Sequence, residues 1–449
     1  MKPNKHILAL AVAAGTALTA LSACTPTPDV PEKTPDWRPH TQDVQISSDT
    51  LDVKRVENLP DDFILGMDAS CVPALEASGV TYRDHSGTVR DVYEILASCG
   101  VNYIRVRVWN DPYDASGKGY GGGNCDLANA IAIGKRATAS GMKLLVDFHY
   151  SDFWADPAKQ MTPKAWAGMT VEQKTEALYA YTKVSLEALT AAGVEVGMVQ
   201  IGNETNGTMC GESAERADGW KRITDLMSAG SRAVREACPY ALVAIHFTNP
   251  ERVGSYAVYS QKLHQFGVDY DVFASSYYPF WHGTMDNLAQ VLTHVATTYG
   301  KQVMVAETSY AFTSRDTDFF GNTIGASGSE VEGYSFTQQG QADLVRDVID
   351  TVANRTTGGI GVFYWEGTWI SVGGKSYDLN RALWERYGAG WASSAAGSYD
   401  PDDAGKWYGG CSVDNQAFFD EHGRATEALK VFALVRRGNN PESTQNESR

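Results

Sequence analysis

The sequence has no Cys-x-x-Cys pair and no Cys/His spacing of the kind that builds a zinc site, so a zinc-tied scaffold is excluded. It also lacks a dinucleotide fingerprint. Gly66-Met67-Asp68-Ala69-Ser70, after the first predicted strand, is not glycine-rich enough to cradle a pyrophosphate. The glycine-rich run at 119–123 follows no strand directly and has no Lys-Ser/Thr after it, so it is a loop rather than a phosphate cradle. Positive charge is scarce: 38 Lys and Arg stand against 54 Asp and Glu, a formal net charge of −16. That balance repels nucleic acid and acidic polysaccharides alike and leaves a neutral glycan as a compatible partner. The apolar run Ile7–Leu21 is too short to span a bilayer.

The 449 residues are 43% hydrophobic and 20% charged, which is the balance of a globular protein with a large core. The N-terminus reads as a processing signal. Lys2 and Lys5 form a basic start, Ile7–Leu21 the apolar region, and Leu21-Ser22-Ala23-Cys24 resembles a bacterial lipobox. Residues 1–23 are therefore expected to be a signal peptide, with Cys24 lipidated and the protein held at the cell envelope or surface by a membrane anchor. Five prolines between Thr25 and Pro39 suggest an extended tether, assigned here to 24–58. The catalytic domain is assigned to 59–436 and a disordered tail to 437–449. Six cysteines remain after Cys24, at 71, 99, 125, 210, 238 and 411, and export predicts disulfides among them.

Short apolar strands alternate with amphipathic helices. The strands are expected at Phe63–Asp68, Tyr103–Val108, Leu144–Phe148, Met198–Gly202, Leu242–Phe247, Val272–Ser276, Gln302–Ala306 and Gly361–Trp365. Helical stretches include Thr88–Cys99, Leu127–Ser140, Val171–Ala192, Ala217–Ala237 and Gln338–Ala353, with Gly100, Gly141 and Gly193 where a C-cap is needed. Eight βα units predict an α/β fold, a single (β/α)8 TIM barrel. Two long segments, from Tyr310 to about Thr337 and from Glu366 to about Asp420, would then lie on its catalytic face.

Polar residues recur at the predicted strand ends: Asp68, Arg105 and Arg107, Asp147 with His149 and Tyr150, Asn203 and Glu204, His246, Tyr278, Glu307, and Trp365-Glu366. Polar groups converging at one barrel mouth are costly unless a ligand or a shared network satisfies them. Glu204 and Glu307 are about a hundred residues apart, three strand–helix units. Two carboxylates at strand ends suit glycosidic bond cleavage, one as proton donor and the other as attacker. Glu204 is the candidate acid/base and Glu307 the candidate nucleophile. Asn203 would bond the sugar 2-hydroxyl, Arg105 or Arg107 would balance Glu307, Tyr278 would orient it, and Trp365 would floor the subsite. Asp68, Asp147, His149, Tyr150 and His246 complete the candidate substrate-binding set. With 22 Tyr and 11 Trp, a few aromatics are expected to stack on sugars.

Longer strings make the resemblance specific. Asn102–Pro112, Asp147–Pro157, Gly202–Gly207, Ala274–Gly283, Ala306–Tyr310 and Phe363–Glu366 resemble glycoside hydrolase family 53, the endo-β-1,4-galactanases, over roughly Asp62–Phe432. The resemblance implies a retaining endo-hydrolase of the β-1,4-galactan in type I arabinogalactan and pectin, with carboxyl groups about 5 Å apart. It also implies a calcium ion, because Asp316, Asp318, Phe320 and Asn322 follow the family's loop pattern and Asp414 matches a second contact. Cys411 departs from that pattern, standing where related sequences carry Ser, and together with Phe320 could ligate only through a carbonyl. A monomer is expected. Two alternatives stay open at this level: a retaining hydrolase of mannan or xylan, and a catalytically silent glycan-binding lipoprotein. The anchor has a direct check: Cys24→Ser should move the protein from the membrane to the soluble fraction on fractionation, and retention in the membrane fraction would refute lipidation.

Overall fold

The structure, a computed structural model, describes residues 36–40 and 44–439. Eight parallel strands close into a barrel: Ile64–Asp68, Tyr103–Val108, Lys143–Phe148, Val196–Ile201, Leu242–Phe247, Val272–Ser276, Gln302–Thr308 and Gly359–Tyr364, called strands one to eight below. The (β/α)8 reading is correct, and the boundaries differ from expectation by one or two residues. Each strand is almost wholly buried, which is why it reads as a continuous apolar run rather than an alternating one.

The barrel interior is filled by Ile64, Tyr103, Leu145, Met198, Val272, Ala274, Met304, Ala306 and Phe363. Space there is tight. A Cβ built on Gly66 would lie 2.2 Å from the Phe363 ring, and one on Gly197 would lie 1.8 Å from the Tyr103 hydroxyl oxygen. Glycine at these strand positions is what lets two aromatic rings fit inside. Outside the sheet, the helices bury a much larger apolar layer. Their starts are encoded locally. Thr170 and Gln173 form a reciprocal capping box before the helix Val171–Ala191, and Asp126 caps Leu127–Ala139 by accepting from Asn129 N–H.

Three expectations need correction. Residues 44–58 are not a free tether: Leu51, Val53 and Val56 are buried, Val56 N–H donates to the Val435 carbonyl, and Ser48 donates to Glu427. Its apolar residues have a core surface to cover, so the segment packs despite its polar composition. Near Asp36, too, the chain meets the barrel, where the Tyr103 hydroxyl donates to the Trp37 carbonyl at 2.6 Å. The expected tail starts too early, because the last helix runs Val431–Arg437. Finally, Cys71, Cys99, Cys125, Cys210, Cys238 and Cys411 are all free thiols, each buried in side-chain packing rather than bridged. The signal peptide, Cys24, the tether up to Pro35 and residues 440–449 lie outside the described residues.

The loop after strand eight is not structureless. It carries the helix Tyr377–Tyr387 and a 3-10 turn at Ser394–Ser398. A two-residue antiparallel ribbon, Thr208–Met209 with Glu212–Ser213, follows strand four. Among the described residues no helix is long and apolar enough to cross a membrane.

Candidate active site

Strand register builds the site. Asp68 lies opposite Arg105, Arg107 opposite Asp147, and Asp147 opposite Gln200. Charged side chains at the barrel's C-terminal end thus meet as neighbours. Arg105 is fully buried. Its guanidinium reaches Asp68 Oδ2 at 3.0 Å, Asp147 Oδ2 at 2.9 Å, Glu307 Oε1 at 2.9 Å, Asn203 Oδ1 at 2.9 Å and Gln200 Oε1 at 3.2 Å. Arg107 lies 3.3 Å from Asp68 and 2.6 Å from Glu366, and its guanidinium carbon sits 4.5 Å from the centre of the Trp154 ring.

Above this network is a cavity of about 230 Å³ lined by Glu204, Glu307, Asn203, Tyr278, His149, Arg107 and the indoles of Trp154, Trp365 and Trp391. A larger recess, about 340 Å³, is lined by His40, Arg55, Asn102 and Arg436 at the strand-start end and holds none of the strand-end carboxylates. The chemistry therefore belongs to the smaller one.

The two glutamates occupy opposite electrostatic settings. Glu307 has Arg105 on one oxygen and the Tyr278 hydroxyl, 2.8 Å away, on the other. Burial raises its carboxyl above the ordinary range, and Arg105 and Tyr278 oppose that rise. Glu204 has no cation paired with it among the described residues. Burial, and then the charge of Glu307, push it up to about 8. The proton shared by the pair thus belongs on Glu204. Glu204 also holds a left-handed backbone, φ 47°, as do Glu366 at 48° and Tyr150 at 51°. Non-glycine residues adopt that region at a cost, which here turns the chain sharply off the strand ends.

Not every candidate reaches the cleft. Glu204, Glu307, Asn203, Tyr278, His149, Arg107 and Trp365 line it, and Arg105 touches Glu307 from below. Asp68 and Asp147 sit beneath as carboxylate partners of the arginines. Tyr150 is turned away: its hydroxyl meets Thr182 at 2.8 Å and its ring stacks on Phe148, because the left-handed turn at this residue sends the side chain outward. His246 is wholly buried between Gln200, Asn203 and Ser276 and does not line the cleft. Sequence reasoning missed Trp154, Asp156, Lys159, Trp391 and Asp403 as lining residues. Trp154 and Asp156 lie in a string singled out above. Trp391 and Asp403 come from the long last loop, where no periodicity marks which residue folds back.

The candidate calcium residues lie on the loops after strands seven and eight. Asp318 Oδ1 accepts from Phe320 N–H at 2.6 Å and Oδ2 from Cys411 N–H at 2.9 Å, joining the loops after strands seven and eight. Asp414 Oδ2 accepts from Thr317 N–H at 3.0 Å. Its Oδ1 and the amide atoms of Asn322 are buried, and the Asn322 amide, close to that carboxylate, is too loosely placed for a well-formed hydrogen bond. Asp316 Oδ1 accepts from Asp318 N–H at 3.1 Å. Burial, with Asp414 and Asp316 nearby, pushes Asp318 up to about 7. Among the described residues no three His, Cys, Asp or Glu side chains are close enough to hold a metal unaided. Asn322 and backbone carbonyls would have to complete the donor set, and hard oxygen donors of this kind suit calcium.

A closed parallel barrel with two unlike glutamates facing one tryptophan-walled cleft defines a glycoside hydrolase. The sequence profile of Glycosyl hydrolase family 53 matches residues 64–432, and the chain belongs to that family. It is 55% identical over 399 residues to the endo-beta-1,4-galactanase of Bacillus subtilis (strain 168), covering 89% of this chain and 92% of that protein. An arabinogalactan endo-beta-1,4-galactanase of Cellvibrio japonicus (strain Ueda107) is 34% identical, with 76% of this chain and 87% of that one covered. The solved catalytic domain from Ignisphaera aggregans, of the same family, superposes with a TM-score of 0.76 at 39% identity, covering 86% of this chain and 99% of that one.

Activity should follow the opposed settings of the two acids. With Glu204 as the donor, which must start protonated, kcat/KM should fall as pH rises through about 8. It should fall again at acid pH as Glu307 gains a proton. A profile of kcat/KM against pH checks both limbs, and a rate still climbing above pH 9 would contradict the assignment.

Proposed function

We propose that this chain is a retaining endo-β-1,4-galactanase acting on neutral galactan of the arabinogalactan type. The single observation that carries the reading is the unlike pair Glu204 and Glu307 on one cleft. The substrate class rests on relatives described as galactanases, one of them alike over nearly its whole length. The acidic surface charge fits a neutral glycan.

In the first step Glu307 attacks the anomeric carbon while Glu204 gives its proton to the leaving 4-oxygen. A covalent glycosyl-enzyme results. Glu204, now ionised, takes a proton from water, which attacks the same carbon and restores the starting configuration. Arg105 and Tyr278 keep Glu307 charged and aimed. Asn203 stands beside Glu204, where its amide can bond the 2-hydroxyl as charge develops on the ring. The indoles of Trp154, Trp365 and Trp391 offer faces to the apolar sides of galactosyl units.

Glu307→Gln should lower galactan turnover by about 10⁴-fold or more while leaving sugar binding measurable. Sizing the oligosaccharides released by the wild type from linear galactan, mannan and xylan tests the substrate. Preferred cleavage of mannan or xylan would refute the galactan reading, and a wild-type rate in Glu307→Gln would refute the nucleophile.

We propose further that calcium ties the loops after strands seven and eight, held by Asp316, Asp318, Asn322 and Asp414 with the Phe320 and Cys411 carbonyls. The support is the buried Asp414 Oδ1, which has no well-formed hydrogen bond, and the clustered carboxylates. Its role would be structural, holding Trp391 and Asp403 at the cleft wall. Excess chelator should lower the melting temperature and added calcium restore it, and a melting temperature unmoved by chelator would refute it. Cys24 lipidation, as set out above, would place the enzyme at the cell envelope.

A further inference from the structure

His246 is a fully buried imidazole with no route to substrate, yet it is two hydrogen bonds from the proton donor. Its Nδ1 accepts the backbone N–H of Glu204 at 3.4 Å, and Gln200 Nε2, 3.0 Å away, divides its two hydrogens among this nitrogen, Asp147 Oδ1 at 2.7 Å and the Gly202 carbonyl at 3.1 Å. A backbone N–H can only donate, so Nδ1 is an acceptor and the ring proton sits on Nε2. Asn203 Oδ1, 2.9 Å from the same nitrogen, takes its hydrogen bond from the Arg105 guanidinium at 2.9 Å. His246 Nε2–H points to Ser276 Oγ at 2.9 Å, and with that lone pair taken the serine hydroxyl donates to Glu204 Oε1 at 2.6 Å. The imidazole stays neutral, because burial and then the charge of Arg105 oppose a second proton.

We propose that Ser276, aligned by His246, is a positioning residue for the acid: it occupies Glu204 Oε1 as a permanent donor, so the transferable proton resides on Oε2. The same donor stabilises the carboxylate left behind when the proton departs, which is where an added hydrogen bond accelerates cleavage. The titratable and charged groups facing the relay are Arg105 and His149 around the imidazole, and Glu307, Asp156, Tyr256 and Tyr278 around the carboxyl. Thr248 is the other hydroxyl at Glu204. Register explains how the relay forms, since Ser276 pairs with Glu307 across strands six and seven while His246 pairs with Ala274 across strands five and six.

The inference rests on Glu204 being the acid, and the experiment separates the two. Galactan needs its leaving oxygen protonated, whereas a galactobioside of 2,4-dinitrophenol does not. Ser276→Ala should lower kcat/KM on galactan roughly 10- to 100-fold, but on the dinitrophenyl substrate by less than about 3-fold. Its alkaline limb should move to higher pH, because a donor favouring the ionised form is gone. Ser276→Thr, which keeps the hydroxyl, should recover galactan cleavage. An equal loss on both substrates, or a wild-type rate with an unmoved limb, overturns the proposal. If Ser276→Ala does not fold, His246→Asn removes the aligning donor and carries the same comparison. Wild-type galactan cleavage by Glu204→Ala would instead overturn the acid assignment itself, whatever Ser276→Ala does.

Discussion

One buried guanidinium organises the mouth of this barrel. Arg105 contacts Asp68, Asp147, Glu307, Asn203 and Gln200, which lie on or just beyond four strands. Such an ion is tolerated out of water only when its donors are matched to acceptors and its charge is compensated. Here the compensation is functional, because one of its acceptors is the proposed attacking carboxylate. Arg107 repeats the arrangement a step closer to the mouth, pairing with Asp68 and Glu366 beneath Trp154. The carboxylates outnumber the two cations, so one acid at this mouth is left without a positive partner. That acid is Glu204, and its readiness to hold a proton near neutral pH follows from its isolation.

The rest of the fold serves to place those groups. Parallel register puts residues of neighbouring strands side by side, so charges separated by dozens of residues become adjacent. Left-handed backbones at Glu204 and Glu366 then turn the chain just past the strand ends. The long loops after strands seven and eight supply what the strands cannot, walls that reach over the cleft. Trp391 and Asp403 come from the last of them, beside the salt bridge of Lys159 with Asp400.

Much of this was legible in the sequence because it depends on local patterns. Buried strands leave uninterrupted apolar runs, and a polar residue just past each run marks the mouth. The proposed acid and nucleophile, with Arg105, Tyr278 and Trp365, were all visible that way. The outcomes that differ depend on tertiary direction. Tyr150 carries the right chemistry at the right position, but its backbone turn sends it to Thr182. His246 sits at a strand end like the others, but its ring is buried against Ser276 and Asn203 and does not line the cleft. Residues 44–58 look like linker by composition, and only three apolar side chains, Leu51, Val53 and Val56, betray that they cover the core.

The free sulfurs have a consequence for how this molecule keeps its shape. Burial lifts the Cys99, Cys125 and Cys210 thiols to about 12 and Cys238 to about 11, so at neutral pH they carry almost no thiolate. Among the described residues no bridge joins the six sulfurs, so the barrel closes through side-chain packing and hydrogen bonds rather than through covalent cross-links.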